Sequence, residues 1–184
     1  RATTAWQHDA SASARFQPTL VMINDSGWDG NEILQLVPRS ADIIRQCGID
    51  LLPAKMLEVS APDGVRDFSR SNAKLLTDKV GSQGPRVFFV RDTLDRPAFE
   101  AVTFGTANSK SNPALRFTVW ITAATRDPHI ALAHELAHVL LDDGSHTQSP
   151  GNLMHSDTSS GSVELSAKQC TKMRHMARLN DLLD

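Results

Sequence analysis

DPHIALAHELAHVLLDDGSH, residues 127–146, is the stretch on which the reading of the chain turns. It has the makings of one buried helix. Asp127 is a good N-cap, Pro128 suits the first helical position, and Gly144 is the expected stop signal. Between them the residues are small and apolar: Ala131, Leu132, Ala133, Leu136, Ala137, Val139 and Leu140. Inside this apolar run stand His134, Glu135 and His138. Imidazoles four apart lie one turn apart on the same helical face, where both can reach a single Zn²⁺. A glutamate directly after the first can reach a water there and take its proton. Burying these three side chains with no cation would leave polar groups to satisfy at a free-energy cost.

A hydrolytic zinc site needs a third protein ligand and an open position. Downstream candidates are His146, His155, Asp157 and Glu164, with Asp142 and Asp143 nearer by. His146 is preferred, because it follows a helix-ending glycine and matches the other two ligands in charge and softness. Glu164 and Asp157 are the alternatives. Asp142 and Asp143 fall where carboxylates oppose the helix dipole. Either they mark a solvated helix end, or one of them orients a ligand imidazole through its free ring nitrogen.

Outward from this segment, strands are expected at 19–23, at 86–91, at 98–104 and at 116–123, where Phe117, Val119 and Ile121 alternate with Thr118, Trp120 and Thr122. A helix is expected over 31–47, with Ile33, Val37, Ile44 and Cys47 as its apolar stripe and Gly48 as its cap. Pro38 is expected to bend or split it. Residues 49–59 read as extended, with Pro53 marking an irregularity or an edge. Residues 65–80 are part loop and part helix, 144–164 a loop, and 166–183 a last helix with Cys170, Met173, Ala177 and Leu183 near one face. Residues 1–18 read as a mobile or surface-draped arm. The order of elements is α+β in a single domain over 19–184.

The chain has 184 residues, 40% hydrophobic and 22% charged, with a formal charge of −2. That balance gives no electrostatic ground for a nucleic acid or an anionic membrane as partner. No apolar run approaches the ~20 residues of a membrane span. The first residue is Arg1, as expected of a processed or trimmed product. Cys47 and Cys170 each fall on the apolar side of an expected helix. They form either one bridge between the first and last helices, which suits a secreted protein, or two buried thiols. Lys168, Lys172, Arg174 and Arg178 read as the wet face of the last helix.

HExxH, a glycine, a third histidine and then a methionine in a turn (SPGNLM, 149–154) resemble the metzincin clan of zinc endopeptidases. The resemblance implies a metzincin-like catalytic domain, with a twisted mixed sheet, a backing helix, an active-site helix and a C-terminal helix. Its upper part would run to about residue 143 and its lower part over 144–184. It implies Zn²⁺ on His134, His138 and His146, Glu135 as general base, and Met154 as a hydrophobic floor that binds no metal. It also implies a protein or peptide substrate laid along an edge strand at 98–104. A pro-segment or inhibitor protein is a further candidate partner, which the sequence itself does not show. A secreted monomer is expected. The spacing departs from the usual HExxHxxGxxH: Gly144 is six residues after His138 and His146 two after the glycine, so the helix is expected to run about one turn longer. Some members of the clan place a tyrosine after the Met-turn, and this chain has no tyrosine. Without that tyrosine the oxyanion would be stabilised by zinc alone or with help from His155, whose simpler reading is a surface loop residue. Other readings of the same residues are a metal-binding module that cleaves nothing and a narrower zinc amidase or toxin.

Overall fold

The computed structural model describes residues 14–52, 55–81, 84–157 and 159–184. Five strands form its main sheet: β2 (Thr19–Ile23), β4 (Lys55–Val59), β5 (Arg86–Val90), β6 (Ala101–Phe104) and β7 (Thr118–Thr122), in the order β4-β2-β5-β7-β6. The first four neighbours run parallel, and β6 is antiparallel to β7 at the sheet's end. A separate parallel pair joins β1 (Ala14–Phe16) to β3 (Ile49–Leu51). The helices are α1 (Gly30–Arg45), α2 (Arg70–Val80), α3 (Pro128–Leu141) and α4 (Ala167–Leu179). This is an α+β fold with a mixed sheet, as the element order implied. Among the described residues no helix is long and apolar enough to cross a membrane.

Strand alternation sorts the core into two layers. Leu20, Val87, Phe89, Val119 and Ile121 pack with α1, α3 and α4. Val21, Ile23, Phe88, Val90 and Trp120 pack on the opposite side with Ala73 and Leu76 of α2. Both faces of β5 and β7 are therefore buried, as expected for the inner strands of a sheet covered by helices. On the first face α3 lies between α1 and α4 and also touches β6 and β7. That position explains why α3 is apolar on all sides, with every residue from Ile130 to Leu141 buried.

Several local expectations are revised. α1 runs unbroken through Pro38, which is exposed together with Leu34, so the carbonyl freed by the missing N–H is on the solvent side. Its N-cap is Asp29, whose carboxylate accepts from the N–H groups of Asn31 and Glu32. Residues 14–16, read from the sequence as part of an arm, form β1. The rest of that arm up to residue 13 lies outside the described residues, as does Pro53. α4 ends at Leu179. The tail then turns to β1, where Asp184 and Arg15 exchange main-chain hydrogen bonds of 3.0 and 3.2 Å.

Cys47 and Cys170 are joined in a disulfide, with Cα atoms 4.6 Å apart. It fastens the end of α1 to α4. The basic residues of α4 are not simply a wet face: Lys172 pairs with the Asp143 carboxylate, and Arg174 donates to the carbonyl of Cys47 at 2.6 Å.

Candidate metal centre and active site

α3 carries His134, Glu135 and His138, which are 4%, 7% and 6% exposed. Their neighbour in space is His146, which is exposed on the loop after the helix. The three Nε2 atoms form a small triangle. Its edges are 2.9 Å for His134–His138, 3.2 Å for His138–His146 and 3.3 Å for His134–His146. A tetrahedral Zn²⁺ with three imidazole ligands needs donor atoms ~3.4 Å apart, so the triangle fits that ion within a few tenths of an ångström. Among the described residues this is the one cluster of three metal-ligating side chains.

The outer ring nitrogens decide what the inner ones are. His134 Nδ1 lies 2.6 Å from the Leu153 carbonyl, and His138 Nδ1 lies 2.6 Å from the Asp143 carbonyl. A carbonyl only accepts, so both Nδ1 atoms carry the proton. The two Nε2 atoms of the neutral rings are then bare lone pairs 2.9 Å apart. Burial keeps the rings neutral. It pulls His138 down to about 4, helped by the neighbouring His134, and it lowers His134 and His146 as well. Two buried acceptors facing each other with no proton between them call for a cation.

The segment expected to be the Met-turn supplies part of this support. Asn152 Oδ1 accepts from the Met154 N–H at 2.9 Å, and the Asn152 and Gln169 amides exchange two hydrogen bonds of 2.9 Å that tie the turn to α4. Leu153 then presents its carbonyl to His134, and Met154, 2% exposed, joins the core under the site. Glu164 is spent elsewhere: its backbone bridges Gly151 and Leu153, and its side chain is not part of the histidine cluster. Asp157 lines the cleft but likewise stands outside the cluster. His155 turns its Nδ1 toward the backbone of Asp157, in keeping with a surface-loop role.

Gly144 does not end α3. The helix stops at Leu141, and Asp142 takes the left-handed conformation (φ 46°) as its C-cap. Aspartate tolerates that region better than most residues, and here its carboxylate is anchored. It accepts from the Thr106 N–H at 2.8 Å and the Asn180 amide at 3.1 Å. Gly105 makes room, since a Cβ there would lie 2.7 Å from Asp142 Oδ1. The helix is thus not a full turn longer. The extra residues sit in the return loop. Neither Asp142 nor Asp143 orients an imidazole through its carboxylate; the main-chain oxygen of Asp143 does so. Its carboxylate instead binds Lys172 and the Ser145 N–H, which hold it down at about 2. At the other end Asp127 is the N-cap position, but it is left-handed (φ 46°) and makes no side-chain cap.

The site opens into a cleft of about 850 Å³ whose walls include Ala101, Val102, Thr103, Asn108, Ala131 and Asp157. The segment expected as its rim is β6, shorter than 98–104 but an edge strand. Glu135 meets β6 directly: Thr103 Oγ1 bonds to its Oε2 and to its main-chain carbonyl at 3.1 Å. Burial raises the Glu135 carboxyl to about 7, and the Thr103 hydroxyl works against that rise. A carboxyl poised near neutrality can take up a proton and release it again. Thr103 and the two carbonyls were not singled out from the sequence. Strand alternation could have placed Thr103 on the α3 side, but nothing local marks a main-chain oxygen as a ligand's support.

The fold is metzincin-like. Metalloproteinase-II from Bacteroides fragilis is similar over 92% of this chain, at 20% identity and a TM-score of 0.66, and this chain spans 55% of that one. Archaemetzincin from Methanopyrus kandleri is similar over 89% of this chain and 96% of its own, at 15% identity and a TM-score of 0.59. No protein-family model matches the sequence, and no curated protein does.

Proposed function

We propose that the chain is a zinc-dependent endopeptidase, with Zn²⁺ held by His134, His138 and His146. The observation that carries this reading is the pair of unprotonated, buried Nε2 atoms 2.9 Å apart, with a third imidazole closing the triangle. Its support is the likeness of fold to a protein named metalloproteinase and to an archaemetzincin. When bound, the ion supplies Lewis acidity toward water and a peptide carbonyl.

Glu135 is the general base toward the attacking water and returns the proton to the leaving amine. The substrate is a protein or peptide laid against the free edge of β6, where main-chain hydrogen bonds hold it in register. One acceptor on that edge is already covered, since the Asn108 amide donates to the Thr103 carbonyl at 3.0 Å. Latency through a pro-segment or inhibitor protein would act by filling this cleft. Met154 is the floor of the site. The disulfide supports secretion, because such bridges persist in oxidising compartments.

The test is metal analysis of the purified chain, with cleavage of a mixed peptide library by the wild type and by Glu135→Gln. One zinc per chain in both, with cleavage in the wild type only and a loss of at least about 100-fold in the variant, is the expected result. Zinc without cleavage of any peptide would leave a metal-binding module instead. Absence of zinc at stoichiometric supply would end the proposal.

A further inference from the structure

Thr103 stands between two parts of the site that the proposed reaction uses separately. In β6 the Glu100 carbonyl accepts from the Thr122 N–H at 2.8 Å, and Ala101 pairs with Ile121 in the ladder. Antiparallel strands alternate between bonded and non-bonded pairs, so residues 100, 102 and 104 turn their main-chain groups toward β7. Ala101 and Thr103 turn theirs to the open edge. Side chains alternate as well: Val102 and Phe104 pack with the core layer on the far face, which puts the side chains of Ala101 and Thr103 on the α3 face. The Thr103 hydroxyl then meets both Oε2 and the main-chain oxygen of Glu135. Among the described residues it is the one side chain that hydrogen-bonds the Glu135 carboxylate.

We propose that Thr103 is the positioning residue for Glu135, fixing the carboxylate from the same strand that receives the substrate main chain. This rests on the peptidase reading above. A buried carboxylate with no donor swings between rotamers and loses its aim. A hydroxyl contributed by β6 sets that aim relative to the docked peptide bond, so the strand that receives the substrate also sets the base geometry. Valine has the same shape and no donor, whereas serine keeps the donor and drops the methyl group.

The experiment compares zinc-loaded wild type, Thr103→Val, Thr103→Ser and Glu135→Gln in peptide cleavage and in calorimetric binding of acetohydroxamate, whose hydroxyl needs a carboxylate acceptor. Thr103→Val should lower kcat by about 10- to 100-fold, with KM within about twofold and zinc affinity unchanged. It should also weaken acetohydroxamate, and Thr103→Ser should restore both to within about threefold of wild type. An unchanged kcat and hydroxamate affinity in Thr103→Val would overturn the proposal, as would a Thr103→Ser variant as impaired as the valine. If Glu135→Gln abolishes cleavage while Thr103→Val does not affect it, Thr103 alone is misassigned. If Glu135→Gln cleaves normally, the reading of Glu135 as base fails first. If the wild type cleaves no peptide, acetohydroxamate binding still decides the role of Thr103.

Discussion

His134 and His138 stand on a helix buried on every side, and His146 stands on an exposed loop. The helical pair has its outer nitrogens fixed by the Leu153 and Asp143 carbonyls. Among the described residues His146 Nδ1 has no such carbonyl partner. Folding alone therefore aims two imidazoles, with tautomer and rotamer already set, while the third stands on a loop anchored by Asp142, Asp143 and the Thr147 N–H, which donates to the Met154 carbonyl at 2.9 Å. A preorganised pair determines where a cation sits, and a loop ligand adjusts to it.

The largest effect expected from this difference is in metal retention. His134→Ala and His138→Ala should each lose zinc entirely on dialysis. His146→Ala should still bind it, more weakly by about 100-fold or more, as measured by calorimetric titration. Equal losses in all three variants would show the loop ligand to be as fixed as the helical ones.

Next in size is the brace beneath the site. The disulfide closes a separation of 123 residues, for which chain entropy alone gives ~5 kcal/mol of stabilisation. The double variant Cys47→Ala, Cys170→Ala should show that loss, or a good part of it, in urea unfolding, yet keep one zinc per chain under native conditions. A fall in zinc stoichiometry would mean that α4, rather than α3, sets the helical pair.

The smallest effect separates general stability from the site. Across the sheet, Asp67 bonds to Arg91 at 2.6 and 2.8 Å, and that contact lowers the Asp67 carboxyl. Its folded pKa lies below the unfolded value of about 3.9, so its stabilisation is present above that pH and fades as pH falls toward the folded pKa. With Arg91 half exposed, solvent screens the pair and its contribution is small. Asp67→Asn should lower the thermal midpoint slightly at pH 7, narrow its drop between pH 5 and 3, and leave zinc affinity unmoved. Altered zinc affinity would break the separation.

Much of this was legible beforehand because it is periodic or local. The strands at 86–90 and 118–122 follow from their apolar and β-branched residues, with alternation marked only in the second, and α3 from its apolar residues and the four-residue spacing of its histidines. His146 was chosen for the chemistry of its side chain, and the fold brings it to the other two imidazoles. Gly144 misled, because a glycine is the usual helix stop, whereas here the left-handed residue is an aspartate held by partners 36 and 38 positions away. Pro38 misled for the opposite reason: its cost is reduced where the orphaned carbonyl meets water, and the packing of α1 carries the helix through it.

The order of residues alone determined that two imidazoles and a carboxylate share one turn of an apolar helix, since helical pitch is a local property. Only the folded chain decided what those groups are. The carbonyls of Leu153 and Asp143 assign the tautomers, and β6 brings Thr103 to Glu135 across 32 residues of sequence. Contacts of that kind depend on packing between elements, and main-chain oxygens are the same at every position until tertiary structure aims them.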